Sequence, residues 1–305
     1  MKMFKTSLFN RILVGLAIAT TVTACGPSSN KQLDTTTSGT IHISVDETYQ
    51  PLIEAEIKVF ESIYPKAKII AEYKPEVDCF KDLFEDSTRM VIVTRDLNEE
   101  EKKYFKDELK ITPRSLTLAT DALALIINHD NPDSSLTMDQ VRAIMNGTYD
   151  KDYQLVFDNP NSSTVRYIKD SINMGKPLPS STMAAKTNPE VVDYVTKNKN
   201  AIGVIGVNWI SDTRDVNVVE FANQVTVCSL RADDNVDFVK PYQVYIATKS
   251  YPLTRAMNYV LKEPHQGLGH GFTNFLASEE GQKLIGRFKL FPARLNIVFR
   301  DANLK

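Results

Sequence analysis

From Thr40 onward the chain alternates short β-branched runs with amphipathic stretches, a pattern that calls for parallel strands and covering helices. Ile41 to Val45 predicts a strand. Tyr49 to Ile63 follows as a helix, with Leu52, Ile53, Ile57, Val59 and Phe60 as its apolar positions and Pro65 as its stop. Lys68 to Tyr73 predicts a second strand, Cys79 to Phe84 a short helix, and Met90 to Val93 a third strand. Asn98 to Leu109 reads as a charged surface helix, opened by Asn98 with Glu101 three residues on.

Leu118 to Asn128 (LATDALALIIN) is too apolar for a surface helix and runs into Asp130-Asn131-Pro132-Asp133, so it reads as a buried strand leaving the first unit. A second unit follows, with helices at Thr137 to Met145, Ser163 to Ile172 and Pro189 to Thr196, and strands at Gln154 to Phe157 and Ala201 to Ile205. Leu253 to Leu261 is the expected returning strand. One last helix is expected over Leu268 to Ile285, with Phe272, Phe275, Leu276, Leu284 and Ile285 at helical spacing.

The 305 residues suffice for about two domains, and 42% apolar with 24% charged residues exclude a disordered, collagenous or polytopic membrane chain. Lys and Arg number 36 against 38 Asp and Glu, so no global basic field exists to hold nucleic acid. Residues 1–24 have the layout of a secretory signal peptide: Lys2, Lys5 and Arg11, then an apolar run from Ile12 to Val22, then small residues. That run is shorter than the roughly 20 residues a membrane helix needs.

The run ends in Val22-Thr23-Ala24-Cys25, which is similar to a bacterial lipobox, whose cysteine is lipidated and becomes the first residue of the mature chain. An ordinary signal peptide followed by an incidental cysteine is the other reading. Cleavage there removes three cations and no acid, taking the net charge from −2 to −5, so any anion affinity has to be local. Residues 25–39 then form the lipidated cysteine and a polar tether too poor in apolar residues to fold, reaching ~20 Å as a coil.

The separation of Cys79 and Cys228 fits no zinc or redox motif; two buried thiols or one disulfide are both open. No nucleophile elbow, phosphate-binding Walker loop, zinc-protease motif or Cys-x-x-Cys is present, so catalysis has no anchor, and neither a metal nor a cofactor is expected. His265 and His270 lie five apart and share a helix face poorly. Gly267 to Gly271 reads as a loop entering the last helix and lacks the preceding strand of a nucleotide site.

A buried oxyanion is best held by backbone N–H groups at helix starts, helped by hydroxyls. Three loop-to-helix junctions qualify: Asp46-Glu47-Thr48-Tyr49, Thr94-Arg95-Asp96, and Asn161-Ser162-Ser163-Thr164 with Arg166 in the first turn beyond. Thr48, Thr94, Arg95, Ser162, Ser163, Thr164 and Arg166 are therefore the candidate ligand-binding residues. Each has a plainer reading: Thr94 and Ser162 as helix caps, Arg95 as a surface partner of Glu99, Arg166 as a solvated helix residue.

An ordered series of segments resembles the phosphate-binding proteins of the phosphate-specific ABC importer, within the type 2 periplasmic-binding-protein superfamily. It comprises Thr94-Arg95-Asp96-Leu97 with its acidic helix, Ala119 to Asn128, Leu136 to Val141, Asn161 to Thr164, Ala201 to Gly206, Tyr251 to Arg255, Ser278 to Gln282 and Leu290-Phe291-Pro292. The resemblance is to lipoprotein members with a degenerate ligand loop. It implies an α/β fold of two lobes, each a mixed sheet flanked by helices, joined by two crossing strands: lobe one 40–127 and 253–305, lobe two 128–252. It also implies one phosphate or related small oxyanion between the lobes, hinge closure, delivery to ABC permease subunits, no turnover, and a monomer tethered outside the cytoplasm.

In the family the third loop carries Gly-Ser-Gly-Thr with an arginine six residues before the threonine, where this chain has Asp158. Where Arg95 stands, studied members have an aspartate that accepts a phosphate proton. The resemblance thus implies that acid and base have exchanged loops, with Asp158 the acceptor, unless Asp158 only caps a turn. A ligand-sensing or partner-binding envelope lipoprotein of the same fold is the alternative function.

Overall fold

In the computed structural model, residues 33–85, 88–210, 223–234 and 236–294 are described; the expected signal peptide 1–24, Cys25 and tether residues 26–32 lie outside them. The first strands and helices alternate as β1 (Gly39–Asp46), α1 (Gln50–Ile63), β2 (Ala67–Lys74), α2 (Glu76–Phe84), β3 (Thr88–Val93) and α3 (Glu99–Asp107). A proline in its first turn opens α1, which buries Leu52, Ile53 and Phe60. Asn98 and Glu101 form the capping box of α3.

The long β4 (Arg114–Ile127) leads to β5 (Ser135–Thr137), α4 (Met138–Asn146), β6 (Gln154–Phe157), α5 (Ser163–Tyr167), β7 (Met183–Ala184), α6 (Asn188–Lys197) and β8 (Ala201–Gly206). Thr137 and Gln140 box the start of α4, and Gly147, left-handed at φ 70°, ends it. After β9 (Thr226–Val227), β10 (Ser229–Arg231) and α7 (Gln243–Ala247), the chain returns through β11 (Thr254–Leu261) to α8 (Leu268–Leu276), α9 (Glu279–Arg287) and β12 (Phe291–Pro292).

The strands lie in the order β2-β1-β3-β11-β4-β8-β6-β7. β4 belongs to both halves of that order: Arg114 to Ala122 pair antiparallel with β11, and Leu123 to Ile127 pair antiparallel with β8. The flanking pairs β1–β2, β1–β3, β6–β7 and β6–β8 are parallel. This is an α/β architecture of two halves, each with a mixed sheet, as the resemblance implies. Ala122 through Ile127 are all buried, and each Leu or Ile so placed contributes ~1.5–3 kcal/mol, which is why that stretch is continuously apolar.

Three details depart from the sequence-based expectations. The last helix is two helices: Ser278 accepts a hydrogen bond from Gly281 N (3.4 Å) and starts a new one, while Gln282 Nε2 donates to the freed Leu276 carbonyl (2.9 Å). The helix expected over Ser163 to Ile172 is α-helical only to Tyr167 and continues as a π-helical turn, Ile168–Ile172.

Asp34 to Gly39, expected in the tether, rest on the body, where Asp34 accepts from Arg89 Nη1 and Nη2 (2.9 and 3.0 Å) and from Leu268 N (2.6 Å). Gly271 admits this strap, since a Cβ there would lie 1.8 Å from the Thr36 carbonyl oxygen.

Cys79 and Cys228 are both free and buried in different hydrophobic clusters, so no disulfide joins them. Burial pushes the Cys228 thiol up to about 12, out of reach of ordinary thiolate chemistry. Among the described residues no helix is long and apolar enough to cross a membrane.

Candidate functional site

At the end of β1 the chain turns through one 3-10 turn, Glu47–Tyr49, capped by Asp46, whose Oδ1 accepts from Thr48 N (2.9 Å). Both Asp46 and Thr48 are buried. Thr48 Oγ1 lies 3.4 Å from Ser163 Oγ at the start of α5, joining segments 115 residues apart. Arg255 of β11 donates through Nη1 to the same Ser163 Oγ (3.0 Å) and through Nε to Asp121 Oδ2 (2.8 Å). Arg255 and Asp121 are cross-strand partners of β11 and β4, with side chains 3% and 0% exposed.

The point where these groups meet is kept open by Gly206. A Cβ there would come within 2.7 Å of Thr48 Cγ2 and 3.0 Å of Asn208 Nδ2, with Arg255 Nη2 at 3.9 Å. Arg255 Nη2 and both side-chain polar atoms of Asn208, beside this point, are buried and have no hydrogen-bond partner, and the same holds for Thr164 Oγ1 and Glu47 Oε1, which neighbour Ser163 and Thr48 in sequence. A buried donor or acceptor left unsatisfied costs ~1–3 kcal/mol, so a concentration of them marks a place built to be filled.

Ser162 caps α5 by accepting from Val165 N (3.2 Å), and Asp158 is buried beside it, accepting from Asn159 N (2.8 Å) and Asn188 Nδ2 (3.3 Å). Thr94 and Arg166 meet through a residue that sequence reading passed over, Glu76. Its Oε1 accepts from Thr94 N and Oγ1 (2.7 and 2.6 Å), its Oε2 accepts from Arg166 Nε (2.6 Å), and Arg166 Nη2 donates to Thr94 Oγ1 (2.7 Å). Thr94 and Arg166 thus meet each other on Glu76.

Arg95 points elsewhere. Its guanidinium donates to both oxygens of Glu101 (2.8 and 2.9 Å) and stacks 3.6 Å from the Phe80 ring centroid. The surface pairing considered from sequence exists, with Glu101 rather than Glu99 as partner, because the capping role of Glu101 already fixes its carboxylate beside the loop. Thr48, Ser163 and Thr164 converge; Asp158 and Ser162 border them; Thr94 and Arg166 form a neighbouring closed cluster; Arg95 lies outside.

The residue missed is Arg255, and its signal was present. A guanidinium inside an apolar strand and a carboxylate inside LATDALALIIN are each anomalous alone and explain each other as a pair.

Carboxylates dominate the electrostatics. Burial raises Asp46 to about 6, aided by Glu76 and opposed by Arg255. Burial and the charges of Asp158 and Asp46 raise Glu47 to about 8, and burial raises Asp158 as well. Burial alone would lower the Arg255 pKa, but Asp121 and Asp46 more than offset it and the guanidinium stays charged. The site therefore offers one buried cation, hydroxyls, an amide and carboxyls whose proton affinity burial raises. Such a set suits an oxyanion that exchanges protons with its host.

A family model for the PBP superfamily domain matches residues 30–280. The phosphate-binding protein PstS of Pseudomonas aeruginosa is 23% identical over 307 residues, covering 92% of each chain. A Clostridium perfringens structure with bound phosphate, described as a phosphate ABC transporter substrate-binding protein, superposes at TM-score 0.70 with 23% identity, covering 84% of this chain and 100% of that one. An ABC-type phosphate transport receptor from Vibrio cholerae superposes at TM-score 0.63 with 18% identity, covering 83% and 100%. With its fold and the extent of these matches, the chain belongs to the periplasmic-binding-protein superfamily, as a PstS-like type 2 member.

Proposed function

We propose that this chain is an extracytoplasmic solute-binding lipoprotein, anchored through Cys25 after removal of residues 1–24, that captures phosphate in a cleft between its two lobes and delivers it to the permease of an ABC importer. It acts as a monomer, performs no turnover and needs no cofactor. The observation that carries this reading is the buried Arg255 guanidinium, whose free Nη2 faces Asn208, Thr48 and Gly206. Residues 40–127 and 253–305 form one lobe and 128–252 the other, so Thr48 and Arg255 reach the ligand from one side and Ser163, Thr164 and Asn208 from the other.

The chemistry favours phosphate over sulfate. Phosphate near pH 7 carries at least one proton, which Asp158 or Asp46 can accept, whereas a proton-free dianion meets several carboxyls with nothing to give them. Arg255 takes the place of the cation that Arg95 was expected to provide. The relatives named above are phosphate-binding or phosphate-transport proteins by description, which supports the same ligand.

Calorimetric titration of residues 26–305, refolded free of carried-over ligand, tests the reading. One-to-one phosphate binding at micromolar Kd or tighter, at least ~8 kcal/mol, with sulfate weaker, is the expected result. Silence toward phosphate would favour the sensing alternative with another ligand.

A further inference from the structure

Away from the Arg255 site lies a second pocket of about 340 Å³, within the lower range of small-molecule sites. One wall is apolar, made by Val207 and Ile210 of the 3-10 turn after β8 and by Val225 and Val227. Lys240, Tyr242 and Lys289 also line it.

Among the described residues the lining carries two lysines and no carboxylate, and neither lysine ammonium has an ion-pair or hydrogen-bond partner among them. His129, which also lines it, is already engaged, with Nδ1 2.9 Å from Thr226 Oγ1 and Nε2 2.8 Å from the Asn223 carbonyl. Both lysines are only partly exposed, and burial lowers the pKa of Lys289. Two half-buried cations in one pocket with four aliphatic side chains, in a chain of net negative charge, match a molecule with one anionic end and one apolar end.

We propose that this pocket binds an amphipathic monocarboxylate, its head group between Lys240 and Lys289 and its aliphatic chain along Val207, Ile210, Val225 and Val227. An inorganic oxyanion would leave the valine wall unused, and a neutral lipid would leave the two ammoniums unpaired. The turn that supplies Val207 to this wall supplies Asn208 to the Arg255 site, so the two sites share one short segment without sharing a ligand group.

Titration with octanoate below its micelle concentration tests the assignment by calorimetry and by NMR of the valine methyl groups. Saturable one-to-one binding, with shifts at Val207, Val225 and Val227, is expected. The affinity should fall about tenfold or more in Lys240→Met/Lys289→Met, and 1-octanol should bind wild type about tenfold more weakly than octanoate. Non-saturating uptake, unmoved valine methyls, or equal affinity in a double variant that retains the wild-type thermal transition would each overturn it. Because the readout is octanoate, failure here leaves the phosphate reading standing, and failure of phosphate binding leaves this one standing.

Discussion

Two arginine–carboxylate clusters, one half-buried and one fully buried, stand in the same half of the molecule and differ in how completely their hydrogen bonds are met. Around Arg89, every carboxylate oxygen is used: Asp34 accepts from Arg89, His265 and Leu268 N, while Glu263 accepts from Arg89, Gly269 N, His270 N and His270 Nδ1. Around Arg255, Asp121 is paired, yet Nη2 and both polar atoms of Asn208 have no partner. The first cluster is complete without a ligand and clasps the strap and the start of α8. The second leaves polar atoms that the proposed oxyanion would complete. Satisfaction of hydrogen bonds, rather than charge, is the proposed distinction between a structural cluster and a binding one.

Arg255→Met puts that distinction to its most severe test. Phosphate affinity should fall at least ~100-fold, and stability should drop by ~3–5 kcal/mol because Asp121 is left charged and buried. Adding Asp121→Leu should restore most of the stability while binding stays lost. Recovery of binding in the double variant would sink the assignment of Arg255.

Arg89→Met should behave oppositely. Stranding Glu263, whose side chain is fully buried, should cost ~3 kcal/mol in urea unfolding, with phosphate affinity held within about twofold. A large affinity loss in a folded Arg89 variant would erase the contrast.

Glu56 shows that an unsatisfied group alone does not make a site. It is buried in α1 with neither oxygen partnered, and burial alone raises it to about 9. The folded state holds a proton that the unfolded chain releases above its ordinary value of 4.5, so the favourable contribution present below pH 4.5 is lost as pH rises toward 9. Glu56→Gln should thus change stability little at pH 4 and raise it by on the order of 2 kcal/mol at pH 8. An equal gain at both pH values in thermal unfolding would mean the carboxyl is already ionised in the fold.

The fold was legible because its signals are local: alternating runs, caps at Asn98 and Thr137, and a buried strand too apolar for anything else. The candidate site was legible only where helix starts mark it: Thr48 and Ser163, chosen from sequence, do meet. Arg95 misled because a charge at a strand end looks the same whether it serves a ligand or the capping glutamate six residues on. Arg255 was missed because its meaning lies in a partner 134 residues away, and only strand register brings the two together. The break at Ser278 and the seating of Asp34 likewise depend on contacts made by distant residues, Leu118 with Gln282 and Arg89 with Asp34.

The subtlest expected effect concerns the acids that border Arg255. Glu47, raised to about 8 by burial and by Asp158 and Asp46, is mostly protonated at pH 7 and ionises over the next two units. An added negative charge opposes a bound anion, so phosphate affinity should fall as pH rises from about 7 to 9, by about tenfold from this group. Phosphate itself loses a proton over the same interval, and comparison with Glu47→Gln removes that contribution because the ligand titrates identically with both proteins. The ratio of wild-type to variant affinity should be near one at pH 6 and fall to about one tenth at pH 9. A flat ratio would place Glu47 outside the field of the ligand and would leave Asp158 and Asp46 as the only carboxyls able to exchange a proton with it. The clasp supplies the matched control: burial, which would raise Asp34, is outweighed by hydrogen bonds from Arg89, Leu268 N and His265 that hold it below the usual carboxylate range, so Arg89→Met should leave the pH profile of phosphate binding unchanged.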